Sequence, residues 1–85
     1  MVSDEELYRQ YLNGKEEGLD RLMQRYGNSL TLYINGYLHD LHEAEDLMIE
    51  AFARIFAKER PLSSEGSFKA YLYKTARHLA LRHAR

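Results

Sequence analysis

The residues best placed to do chemistry lie between Gly66 and Arg85, where every charged side chain is basic. Tyr71, Lys74, His78, Arg82 and Arg85 follow one another at three- or four-residue steps, which on a helix makes a single stripe, with Tyr73 and Arg77 next to it. Cations in such a stripe hold phosphates while an interleaved ring stacks on an unpaired base, the chemistry of single-strand nucleic-acid binding. The same composition also describes an ordinary solvated face, because Lys and Arg are exposed on most helices. At 100° per residue, Phe68, Leu72, Thr75, Ala76, Leu79, Ala80 and His83 share one side, which predicts a helix with that side buried.

A stripe of opposite sign precedes it. Glu43, Asp46 and Glu50 recur at three- and four-residue steps, with Ile49 and Ala53 beside them. Like charges at this spacing repel mildly, so the face is relieved by a cationic partner or, within the chain, by Arg54 pairing with Glu50. The two stripes belong to a wider polarity. Residues 1–50 hold eleven acids against four bases, and residues 51–85 hold eight bases against two acids, although the net charge is only -1. That asymmetry suggests two partners of opposite sign.

Other chemistries find little support. There is no cysteine, hence no thiol nucleophile, thiolate metal site or disulfide framework. No glycine-rich phosphate loop follows a strand, Ser63, Ser64 and Ser67 sit where turns and caps explain them, and neither catalysis nor a cofactor is implied. His39 and His42 lie near Glu43 and Asp46, but His39 precedes the helix and spacing fixes no third strong ligand, so no metal site is expected. No apolar run reaches the roughly 18 residues of a membrane span, and the acidic start is unlike a signal peptide, so a cytoplasmic protein is the expectation.

The elements that must position these stripes are helices. Eighty-five residues make one small domain with little stability to spare. Ser3 and Glu6 form a capping-box pattern for a short helix stopped at Asn13-Gly14, and Leu19, Leu22, Met23 and Tyr26 are spaced for a second helix ending near Gly27. Ser29 to Leu38 is ambiguous: Leu30, Leu32 and Ile34 alternate like a strand before Asn35-Gly36, a hairpin signal, yet Leu30, Tyr33, Ile34, Tyr37 and Leu38 fit a helix. Helix is preferred, because Tyr37 and Leu38 alone cannot make a return strand. Asp40 and Glu43 offer a cap for the acidic helix, whose apolar stripe is Ala44, Leu47, Met48, Ala51 and Ile55, widened by Phe52 and Phe56. Pro61 disfavours helix at Arg60, so this helix stops near Lys58 or Glu59, residues 59–66 form a loop, and Ser67 caps the basic helix. The fold class expected is all-α, a compact bundle of four to five helices in a single domain.

Taken in order, Ala44-Glu45-Asp46-Leu47-Met48-Ile49-Glu50-Ala51-Phe52-Ala53-Arg54-Ile55-Phe56, a short loop, and Gly66-Ser67-Phe68-Lys69-Ala70-Tyr71-Leu72-Tyr73-Lys74-Thr75-Ala76-Arg77-His78-Leu79-Ala80 resemble region two of bacterial sigma factors, most closely the extracytoplasmic-function type. Asp4-Glu5-Glu6-Leu7 through Tyr26-Gly27 look like that family's opening helices. The resemblance implies opening helices over about 4–38, a helix over about 41–58 that docks on the beta-prime clamp helices of core RNA polymerase, a loop over 59–66, and a DNA-facing helix over 67–85. It assigns polymerase contact to Asp46, Ile49, Glu50 and Ala53. It assigns capture of the non-template strand of the promoter minus-ten element to Arg60, Ser63, Ser64, Tyr71, Lys74, Arg77 and His78, with Arg82 further along the stripe.

This chain has Ile49 where the family often has Gln, Tyr71 where it has Trp, His78 where it has Asn, and Arg82 where it has Asp. A full factor of this type also carries a domain that reads the minus-thirty-five element, for which these residues offer no candidate, so the expectation is either the N-terminal piece of a longer factor or a lone region-two protein, and the basic helix's lack of a stop signal favours the first. The alternative function is a helical protein-interaction module, for example one that binds an anti-sigma factor, without direct DNA contact.

Overall fold

The computed structural model describes residues 1–59 and 67–84, and Arg60, Ser63, Ser64 and Arg85 lie outside them. Within that span the chain forms α1 (Asp4–Leu12), α2 (Glu17–Leu38), α3 (Leu41–Ala57) and α4 (Phe68–His83), with no strand among the described residues. The all-α expectation holds.

Three helices begin as their sequences dictate. The side chains of Ser3, Asp40 and Ser67 accept from the amides of Glu6, Glu43 and Ala70, each at 3.1 Å, satisfying donors that have no partner within the first turn. Only half of the capping box at Ser3 forms, because the Glu6 carboxylate is held by Arg9 one turn on. α1 ends at Asn13, and Gly14 takes a φ of 94°, which only glycine adopts without strain. α2 ends on His39 in the left-handed region (φ 56°), with its amide donating to the Asn35 carbonyl at 2.9 Å. α3 ends at Lys58, and Glu59, also left-handed at φ 49°, turns the chain away.

The expected break near Gly27 does not occur. α2 is one helix of 22 residues, running through Gly27-Asn28-Ser29 and through Asn35-Gly36, where no hairpin forms. Tyr26 follows Leu22 by four residues and Leu30 follows Tyr26 by four, so the inward stripe keeps helical register across the glycine and on to Ile34. Leu22, Leu30 and Ile34 are fully buried, and that burial outweighs the roughly 1 kcal/mol a mid-helix glycine costs relative to alanine. Gly27 is itself buried beside Met48 of α3, and Thr31 donates to its carbonyl at 2.8 Å.

An aromatic knot joins the helices. Tyr8 and Tyr11 of α1 meet Phe56 edge-on at 5.3 and 4.6 Å between ring centroids, and Phe56 lies 6.0 Å from Phe68 at the start of α4. Phe52 completes it 6.5 Å from Phe68. α1 packs closely on α2 because residue 18 is glycine: a Cβ there would lie 2.1 Å from the Leu7 carbonyl oxygen. A second fixing point is polar. Asp4 receives Arg25 at 2.7 Å and also the Tyr26 hydroxyl. Burial, and next the hydrogen bond to the Asp4 carboxylate, push the Tyr26 hydroxyl up to about 12.

Candidate nucleic-acid interface

α4 buries Phe68, Leu72, Ala76, Leu79 and Ala80 against the bundle, as its periodicity predicts. His83 departs from that pattern. It is exposed, and its Nε2 stands 3.1 Å from the Glu43 carboxylate at the start of α3. The apolar contact ends with Ala80, so the last turn overhangs the α3 N-terminus and presents its imidazole to the first acidic residue of that helix.

Between the C-terminal half of α3 and one flank of α4 runs an open groove of about 750 Å³. Its walls carry five basic side chains, Arg54 and Lys58 from α3 and Lys74, His78 and Arg82 from α4, around the ring of Tyr71. Ile55 and Leu79 line its apolar base. Lys58 fixes that ring by its hydroxyl, to which its ammonium donates at 3.0 Å. A cleft with cations on both walls and a ring between them can hold phosphates while a base stacks.

The structure therefore brings together Tyr71, Lys74, His78 and Arg82, the α4 residues singled out by spacing. Arg77 is not among the groove residues and lies on the flank of α4 that faces α2. Arg54 and Lys58 are groove members that the sequence reading did not nominate. Their four-residue spacing was visible, but their partnership with Tyr71 depends on how α3 crosses α4.

The outer face of α3 changes sign along its length. Asp46, Ile49 and Ala53 are exposed, Ile49 by 50%, and Glu50 is half-buried. Glu50 accepts from Arg54 at 2.9 Å, so the intrahelical relief of the acidic stripe is real, while Asp46 makes no ion pair among the described residues. Acids near the N-terminus of α3 and bases near its C-terminus also complement the helix dipole. Glu43 is engaged with His83, and among the described residues no three His, Asp or Glu side chains gather as metal ligands would. Among the same residues no helix is long and apolar enough to cross a membrane.

The described residues thus form four helices, with acidic residues exposed on α3 and an aromatic, basic groove beside them. Residues 22–85 match the family Sigma-70 region 2, and the chain belongs to that family. It is 26% identical over 80 residues to the RNA polymerase sigma-H factor of Pseudomonas aeruginosa, an alignment that covers 94% of this chain and 42% of that protein. The chain thus spans less than half the length of this curated relative. No solved structure matches.

Proposed function

We propose that this sigma region-two domain docks on the beta-prime clamp helices of core RNA polymerase through α3 and holds the non-template strand of a promoter minus-ten element in the α3–α4 groove. The observation that carries the reading is the groove itself: five basic side chains converge around one clamped tyrosine in a chain whose net charge is negative. Tyr71 would take an unpaired base on its face, while Lys74, Arg82, Arg54 and Lys58 neutralise the phosphates on either side. His78, on the same wall, would meet a base edge.

Docking uses the neighbouring face of α3, which meets the groove at the Glu50–Arg54 ion pair. Asp46 and Glu50 offer charge to a basic surface, and Ile49 and Ala53 add apolar area between them, the mixture expected of a protein interface with an electrostatic rim. The family resemblance adds Arg60, Ser63 and Ser64, which precede α4 in the sequence, to the proposed strand contacts. No step of bond chemistry is assigned to the domain. It acts by placing a preformed groove against a bubble that polymerase holds in position.

The test is photocross-linking of the domain to labelled promoter DNA in the presence of core polymerase. Cross-links from the groove residues to the non-template strand support the reading. Polymerase-dependent recruitment without any strand cross-link favours a protein-interaction module instead, of the kind that engages an anti-sigma factor.

A further inference from the structure

The α3–α4 groove holds more positive charge around its one ring than a passing strand would use. Lys58, Lys74 and Arg82 line it and form no ion pair among the described residues, and His78 stands with them. Arg54 is a fourth permanent cation, paired with Glu50, which is not itself a lining residue. No carboxylate belongs to the lining among the described residues, whereas the half-buried Thr75 adds a hydroxyl to it. Against these groups the lining sets a single aromatic side chain, Tyr71.

Polyanions differ in how much charge they bring per base. A nucleic-acid strand carries one phosphate charge per nucleotide, so a base stacked on Tyr71 brings its own phosphate and that of its neighbour. A nucleoside triphosphate carries about four charges beside one base, because its terminal phosphate loses its second proton near pH 6. Several cations around one ring match the second pattern. At 1.5 Å per residue, Lys74, His78 and Arg82 lie about 4.5, 10.5 and 16.5 Å along α4 from Tyr71, and helical side chains lean toward the N-terminus, here back toward the ring. One molecule with its base on Tyr71 thus lays its phosphates along these side chains in turn. The groove's volume of about 750 Å³ lies within the range of small-molecule sites, and Ile55 and Leu79 supply the apolar base that such sites share.

We propose that the α3–α4 groove binds a free nucleoside triphosphate, with its base on Tyr71, its phosphates along Lys74 and Arg82, and Lys58 and Arg54 closing on them from the α3 wall. Occupancy withholds the ring from a strand, so the nucleotide competes for the groove. The competition rests on the strand reading given above; the binding does not.

The test titrates ATP, adenosine and inorganic triphosphate into the 85-residue chain by calorimetry, with amide shifts by NMR locating each ligand. ATP should bind roughly tenfold more tightly than either fragment and move the amides of Tyr71, Lys74, Thr75 and Arg82. Lys74→Gln/Arg82→Gln, both at exposed positions that spare the fold, should weaken ATP and inorganic triphosphate alike by roughly tenfold. Tyr71→Leu should weaken ATP roughly tenfold and leave inorganic triphosphate unchanged. If circular dichroism shows that this variant does not fold, the ratio of the ATP and triphosphate affinities of wild type reads the contribution of the ring instead. Inorganic triphosphate binding as tightly as ATP would make the groove a mere polyanion patch and overturn the proposal. So would an ATP affinity indifferent to the Lys74/Arg82 change, or no binding at millimolar ATP. Failure of the strand reading is distinct: ATP would still bind, while groove cross-links to promoter DNA in the presence of core polymerase would be missing.

Discussion

The carboxylate of Glu5 accepts a hydrogen bond at 2.9 Å from the backbone amide of Phe68, sixty-three residues away. From the first turn of α1, it thereby closes the N-terminus of α4, where Ser67 already satisfies the amide of Ala70. An anion there also meets the positive end of the α4 dipole. The opening helix thus sets where the basic helix starts, and with it the height of Tyr71 along the groove.

Glu5→Ala should cost about 1 kcal/mol of stability, because a charged acceptor is lost and the amide of the buried Phe68 is left without its partner. Urea unfolding followed by helicity measures it. A Glu5→Gln variant, which keeps an acceptor but not the charge, should recover part of the loss.

Gly18→Ala should be far more damaging than a surface glycine change. The added Cβ would press on the Leu7 carbonyl, backbone that cannot rotate away, so α1 must separate from α2 at a cost of about 1–3 kcal/mol. Gly36→Ala, where a Cβ meets nothing within 4 Å, should be neutral or stabilising in the same melting experiment.

Stability should fall in strong alkali, partly through Tyr26. Its hydroxyl titrates at about 12 in the folded domain against an ordinary value of 10.0, so the proton is held more tightly when folded. The associated stability is complete below pH 10 and is lost as the pH rises through about 12. Tyr26→Phe should therefore flatten that decline relative to wild type. Equal slopes for the two proteins across this interval would remove the assignment.

Asp46→Lys/Glu50→Lys should abolish binding to core polymerase while circular dichroism stays that of wild type, since neither side chain belongs to the buried core. The second change also sets a lysine beside Arg54, adding repulsion where an ion pair stood. Undiminished pull-down of polymerase by the double variant would sink the docking proposal.

Tyr71→Ala should weaken single-strand affinity in the polymerase-bound complex by about 1–3 kcal/mol with little change in salt slope. Lys74→Gln and Arg82→Gln should instead each flatten the slope by about 0.7. Lys58→Met has a mixed signature, because this lysine both lines the groove and holds the tyrosine ring: a flatter slope together with weaker stacking. Parallel slopes for all three basic variants would leave the groove as a solvated face.

Local physics was legible in the sequence, and geometry across helices was not. Ser3, Asp40 and Ser67 cap helices because a cap needs only its own neighbours, and the inward stripe of α4 follows from 3.6 residues per turn. Those same rules placed a stop at Gly27, since a glycine in an isolated helix is a weak point, but the burial of Leu22, Leu30 and Ile34 against other helices overrode it. His83 continued the buried periodicity on paper, yet a helix buries its stripe only as far as its neighbours extend, and there it reaches Glu43 instead. The charge sign of each stripe and the identity of the ring at its centre were determined by the sequence alone. Which cations share that ring was decided by the crossing of α3 and α4, which joins Arg54 and Lys58 to Tyr71 and turns Arg77 toward Tyr33, because a side chain's partners across a bundle depend on helix packing that no local spacing encodes.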